Sequence, residues 1–186
     1  MKAYAAALAA VLIFSAPLQA DEISDTIQEA LAAYHKGDLA HTKQTLDYAS
    51  QLIASKNAEN LKTLLPAPLA GWSAEDGEAQ AAGMAMFGGG LQASRVYTKG
   101  DQTVEMSFIG DSPLLAQFIP MLSNPALAGA MGKPLRVGTQ MALEDKNGEI
   151  KMVVANRFLV TISGTGSRDD KLAYAKAIDL EALAKL

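Results

Sequence analysis

His35, Asp38 and His41 follow one another at intervals of three residues. Two imidazoles and a carboxylate can together hold zinc or copper. These three straddle what the neighbouring sequence marks as a helix-to-helix turn, so their convergence depends on how tightly that turn folds. The plainer reading is a solvated turn in which Asp38 caps the next helix, because the spacing matches no established ligand motif. Met84 and Met86 form a second candidate. Thioethers suit Cu(I), and on a strand both would face one way, but no histidine or third methionine lies near in sequence. The run Ser163-Gly164-Thr165-Gly166-Ser167-Arg168 follows a predicted strand and opens a helix, where phosphate-binding loops occur. It lacks the third glycine of such a loop, and Asp169 and Asp170 would repel an anion there. The expectation is a chain without metal or cofactor.

No catalytic constellation is legible either. There is no G-x-S-x-G, and the only histidines are far along the chain from any predicted cleft. The chain reads as a binding protein, not an enzyme. The residues best suited to contact a partner or ligand are Trp72, Met84, Met86, Phe87 and Leu91. Met84 to Leu91 joins an apolar run to three consecutive glycines. A buried strand disfavours such glycines, and an ordinary solvent loop would not carry two methionines, a phenylalanine and a leucine. The segment suits a flap over a cavity or a partner; a bulged strand with Phe87 in the core is the plain alternative.

Composition narrows the setting. The chain has 186 residues, 49% of them hydrophobic, enough for one domain and a small appendage. Lys2, the apolar run Ala5 to Phe14 and the small residue Ala20 before acidic Asp21 form the pattern of a secretory signal peptide cleaved after Ala20. That run is shorter than the roughly 20 residues a membrane span needs. With no cysteine, disulfides, thiol catalysis and thiolate metal sites are excluded together. The net charge is −4, one unit more negative once Lys2 leaves, and there is no basic run. Nucleic acid is therefore an unsuitable partner. The expected location is the periplasm or the exterior, without an integral membrane segment in the mature chain.

The elements that must position these residues fall into two parts. Ile23, Ile27, Ala30/Leu31 and Tyr34 recur at helical spacing, Gly37-Asp38 stops one helix and starts another, and Leu39, Thr42, Leu46, Ala49 and Ile53 continue on one face. These predict a helical hairpin over 21–65 whose apolar stripe is buried. Pro66 and Pro68 make 66–72 a hinge. Residues 73–186 read as an α+β domain: an antiparallel sheet of five or six strands, as a hairpin plus a meander, with helices packed on it. A strand around Ala79 to Met86 precedes the hairpin, whose strands are Ala93 to Thr98 and Thr103 to Ile109. Helix starts are predicted at Ser112-Pro113 and Asn124-Pro125. The meander runs from Arg136 to Ser163, one strand through Val137, Thr139, Met141 and Leu143, then a type I′ turn with both Asn147 and Gly148 at positive φ, and a second turn at Asn156-Arg157. Phe158 to Ser163 is placed centrally and covered on both sides, and a final helix opens at Ser167 with a capping box to Asp170 and runs to about Ala184.

Tyr34-His35-Lys36-Gly37-Asp38-Leu39, with Thr42, Leu46 and Ala49, resembles the turn and second helix of a tetratricopeptide repeat. Thr42 stands where that family has alanine, and no second copy follows, so one helix pair packed on a domain is expected, not a solenoid. From Trp72 onward the order of hairpin, helical crossover, meander and closing helix resembles the sandwich of Mog1-like and PsbP-like proteins. That resemblance implies a protein-binding role. The leading expectation is an exported assembly or protein-binding module; a carrier of an apolar small molecule or lipid is the alternative, and a metal-binding protein the second.

Overall fold

The computed structural model describes residues 21–81, 90–112, 115, 119–120, 124, 129 and 132–186. Met84, Met86 and Phe87 lie outside the described residues, as do the leader and nearly all of the two helix starts near Pro113 and Pro125. The chain divides into two compact units between Leu46 and Asp47.

The first unit holds helix α1 (Glu22–His35) and the opening of helix α2 (Leu39–Thr63). Gly37, with φ +77, ends α1 in the left-handed conformation that glycine adopts without cost. Asp38 then caps α2, its Oδ1 accepting the His41 backbone N–H at 3.0 Å. The stripe of large residues is not buried as the spacing predicted. The buried positions are Thr26, Ala30, Ala33 and Thr45, whereas Leu31 is 54% exposed, Tyr34 59%, Leu39 66% and Leu46 47%. Small side chains fill the inner face of the pair, which leaves the large ones on its flank.

The second unit takes the rest of α2 and an antiparallel sheet of eight strands. These are β1 (Ser73–Ala74), β2 (Glu78–Gln80), β3 (Leu91–Lys99), β4 (Gln102–Gly110), β5 (Lys133–Val137), β6 (Gln140–Glu144), β7 (Ile150–Val154) and β8 (Phe158–Ser163). Their order is β1-β3-β4-β8-β7-β6-β5, with β2 beside β1 along the same edge of β3. The α+β class holds, and the strand count exceeds the expected five or six for two reasons. β1 and β2 are too short to show an alternation. Gly138, with φ +59, turns the chain inside what read as one strand, so that Val137 pairs with Gln140.

Both meander turns also differ from the expectation. At Asn147-Gly148 only Gly148 has positive φ; Gly148 N–H donates to the Asp145 carbonyl, giving a turn with the glycine at its exit. The second turn sits one residue early. Ala155 and Asn156 take the left-handed pair, φ 52 and 53, and Arg157 N–H closes onto the Val154 carbonyl.

β8 is central, between β4 and β7. Phe158, Val160 and Ile162 are buried, with Leu159 and Thr161 on the other face half-buried. Val104, Met106 and Phe108 of β4 share the core face, as their alternation predicts. Ala58, Leu61 and Leu65 join that core from the end of α2 and from the residues just after it. So does helix α3 (Arg168–Lys176), through Tyr174 and Ala175. The predicted capping box is present, Ser167 accepting the Asp170 N–H while Asp170 accepts the Ser167 N–H. The final helix is two, however. It breaks after Lys176, and Asp179 caps α4 (Leu180–Lys185) by accepting the Ala182 N–H at 2.9 Å.

Candidate functional site

On the helix pair, Ile27, Ala30, Leu31 and Tyr34 of α1 and Thr42 and Leu46 of α2 line a groove of about 290 Å³. No charged side chain lines it. The i, i+4, i+7 spacing of Ile27, Leu31 and Tyr34 puts them on one face of α1. At 100° per residue, Glu22, Asp25 and Glu29 fall on the opposite face. There Glu29 Oε1 meets His41 Nε2 at 3.0 Å, so His41 closes the polar side of the hairpin. His35 lies beside Tyr34, ring centroids 6.2 Å apart and planes tilted by 49°. Thus Asp38 is engaged as a cap, His41 with Glu29 and His35 with Tyr34. Among the described residues no group of three histidine or carboxylate side chains is placed to hold a metal.

The second unit has a cavity of about 320 Å³. Ser50, Ile53, Ala54 and Asn57 of α2 line one wall, Ala81, Gly90 and Leu91 another, and Asp111 the rim. Leu91 therefore reaches a cavity. Trp72 stands edge-on to Tyr174 with ring centroids 5.4 Å apart, and Lys99 Nζ lies 5.7 Å over its ring. Tyr174 in turn packs against Tyr97 at 4.2 Å. This aromatic trio secures the proline segment. Tyr97 donates its hydroxyl hydrogen to the Pro66 carbonyl at 2.8 Å, and the Leu69 N–H donates to the Tyr174 hydroxyl. Arg95 Nη1 adds contacts to the Leu65 and Pro66 carbonyls, while its buried Nε has no partner among the described residues. Burial pushes the Tyr97 hydroxyl up to about 12, opposed in part by Arg95.

Several charged groups elsewhere form structural ties. Asp145 accepts the backbone N–H of Asn147 and Glu149, and Lys151 Nζ reaches it at 2.8 Å. The lysine hydrogen bond, with the two from the backbone, lowers Asp145 to about 2. Lys171, 6% exposed, donates to the Gly148 carbonyl at 3.0 Å and so fixes α3 to that turn. The Gly164-Thr165-Gly166 loop is used similarly: Thr103 N–H donates to Thr165 Oγ1, and Gly166 N–H to the Thr103 carbonyl.

The apolar groove escaped the sequence reading because periodicity reports that a face is apolar, not which neighbour covers it. The alternative signal was the second periodicity, Thr26-Ala30-Ala33, which marks a close helix contact. Among the described residues no helix is long and apolar enough to cross a membrane. No protein-family model matches the chain, and neither does any curated protein or solved structure.

Proposed function

We propose that this chain is an exported binding module that acts by contact and not by catalysis, through the apolar groove on α1 and α2. The observation that carries the reading is the exposure of Ile27, Leu31, Tyr34 and Leu46 around a groove without charge. Contiguous apolar surface of this kind marks a contact site. Groove and protruding side chains suit a helix laid along the pair, the usual way an apolar helical groove is filled. Export rests on the leader pattern of residues 2–20, and the protein-binding role agrees with what the resemblance to Mog1-like and PsbP-like proteins implies. The test is photo-crosslinking from position 31 in cells. A crosslinker replacing Leu31 should trap a protein adduct, while one replacing Gln44, on the outer side of α2, should not. Equal or absent trapping at both positions would refute the reading.

A second reading, a carrier of a small apolar molecule, is favoured by the 320 Å³ cavity reached by Leu91, a volume within the ordinary range for small-molecule sites. Solvent extraction of the purified protein followed by mass spectrometry tests it. A stoichiometric ligand lost on Ala54→Trp supports it, and a clean extract counts against it.

A further inference from the structure

Resting on the contact reading above, we propose that the occupant of the groove is the helix pair of a second copy of this chain, so that two hairpins form a four-helix bundle. Three observations carry this. First, the surface contains both parts of its own complement. Leu31 and Tyr34 protrude, more than half exposed, beside a 290 Å³ hollow that is room for a few large side chains. A two-fold axis through such a face inserts each copy's protrusions into the other's hollow, the self-complementarity an isologous interface requires. Two antiparallel helices with one apolar side are half of a four-helix bundle.

Second, charge selects this face. Between residues 21 and 53 there are six acidic side chains and two lysines, which would make most approaches of two copies repulsive. Glu22, Asp25 and Glu29 all lie on the side of α1 away from Ile27, Leu31 and Tyr34, so this approach brings no carboxylates of α1 together. Third, the area suffices. Ile27, Leu31, Tyr34, Leu39 and Leu46 leave on the order of 500 Å² a copy open, hence about 1,000 Å² for the pair, the lower bound for a specific interface. Leu39 lies on the same stripe of α2, two turns before Leu46 at i−7.

Because the chain has no cysteine, one introduced thiol reports on its own position alone. The full chain from Asp21 onward is purified as wild type, Leu31→Cys, Gln44→Cys and Leu31→Asp. Sedimentation over a concentration series should show a dimer for wild type at tens of micromolar and a monomer, with unchanged circular dichroism, for Leu31→Asp. A short bis-maleimide should link Leu31→Cys into a covalent dimer at least tenfold faster than Gln44→Cys. A wild-type monomer throughout that series overturns the proposal, as does a dimer that Leu31→Asp leaves intact or equal linkage at both positions. A wild-type monomer whose position 31 still crosslinks in cells to a different protein overturns self-association and leaves the contact face standing. If Leu31→Asp fails to fold, the maleimide rates of the two cysteine variants decide the matter by themselves.

Discussion

Arg157 holds Asp111 by both prongs of its guanidinium, Nε to Oδ1 at 2.5 Å and Nη2 to Oδ2 at 2.6 Å. The pair ties the end of β4 to the β7–β8 turn, across forty-six residues of chain. The Arg157 guanidinium also lies 4.9 Å over the Phe158 ring. The only non-glycine residues with positive φ among those described are Asp111, which belongs to this contact, and Ala155 and Asn156, which directly precede Arg157. The geometry is two-pronged but both side chains are more than a third exposed, 38% and 40%, so solvent screens much of the attraction. A double-mutant cycle on Arg157→Ala and Asp111→Ala should give a coupling of about 1 kcal/mol or less. The hydrogen bonds from Arg157 lower the Asp111 carboxyl. The coupling should therefore be full above the ordinary carboxylate range and vanish as pH falls through the depressed value. A coupling that persists in strong acid would contradict this.

Ala155 carries the left-handed backbone at that turn with a Cβ, which costs about 1 kcal/mol or more relative to glycine. Ala155→Gly should therefore stabilise the protein, by somewhat less than that strain because glycine gains entropy in the unfolded chain. Urea unfolding should show a higher midpoint with unchanged slope. A lower midpoint would mean the turn is held differently.

Asp145 gives an acid-dependent term. Its carboxyl is lowered from 3.8 to about 2 by Lys151 and by two backbone N–H groups. A depressed carboxyl stabilises the fold above its unfolded value and loses that contribution as pH falls towards its folded one. Asp145→Asn should cost on the order of 1 kcal/mol at neutral pH. The gap between variant and wild type should close between about pH 4 and pH 2. A gap of constant size across that window would show that the charge is not what matters.

Tyr97 gives the alkaline counterpart. Its hydroxyl is pushed up to about 12 by burial, and Tyr174 is raised by burial as well. For an acid group with a raised value, stability is complete below the unfolded value near 10 and is lost as pH climbs towards 12. Absorbance at the phenolate band should thus gain the Tyr97 and Tyr174 increments only as the fold is lost. Tyr97→Phe should cost about 1 kcal/mol, the low end for a buried hydrogen bond, because Arg95 still donates to the Pro66 carbonyl it leaves. Early, reversible ionisation of all tyrosines would contradict the burial.

Some of this protein follows from local sequence alone. Gly37-Asp38 ends one helix and caps the next, Ser167 and Asp170 make their capping box, and Val104, Met106 and Phe108 alternate into the core. Each depends on neighbours within a few residues, where backbone geometry and side-chain type suffice. Gly138 and Asp179 were equally local but stood inside apolar patterns that read as continuous, so periodicity masked the breaks they make. What the sequence could not decide was which apolar face meets which. Thr26, Ala30 and Ala33 carry a weaker hydrophobic signal than Ile27, Leu31 and Tyr34, yet the small residues are buried and the large ones are exposed. The small side chains take the buried face of the helix pair, and the large ones line the open groove. Arg157 with Asp111, and Tyr97 with Pro66, likewise exist only because the sheet order brings distant strand ends and loops together. Local sequence marked several helix and strand ends and which faces are apolar; tertiary structure alone decided which apolar face was left open, because burial belongs to a pair of surfaces and not to either one.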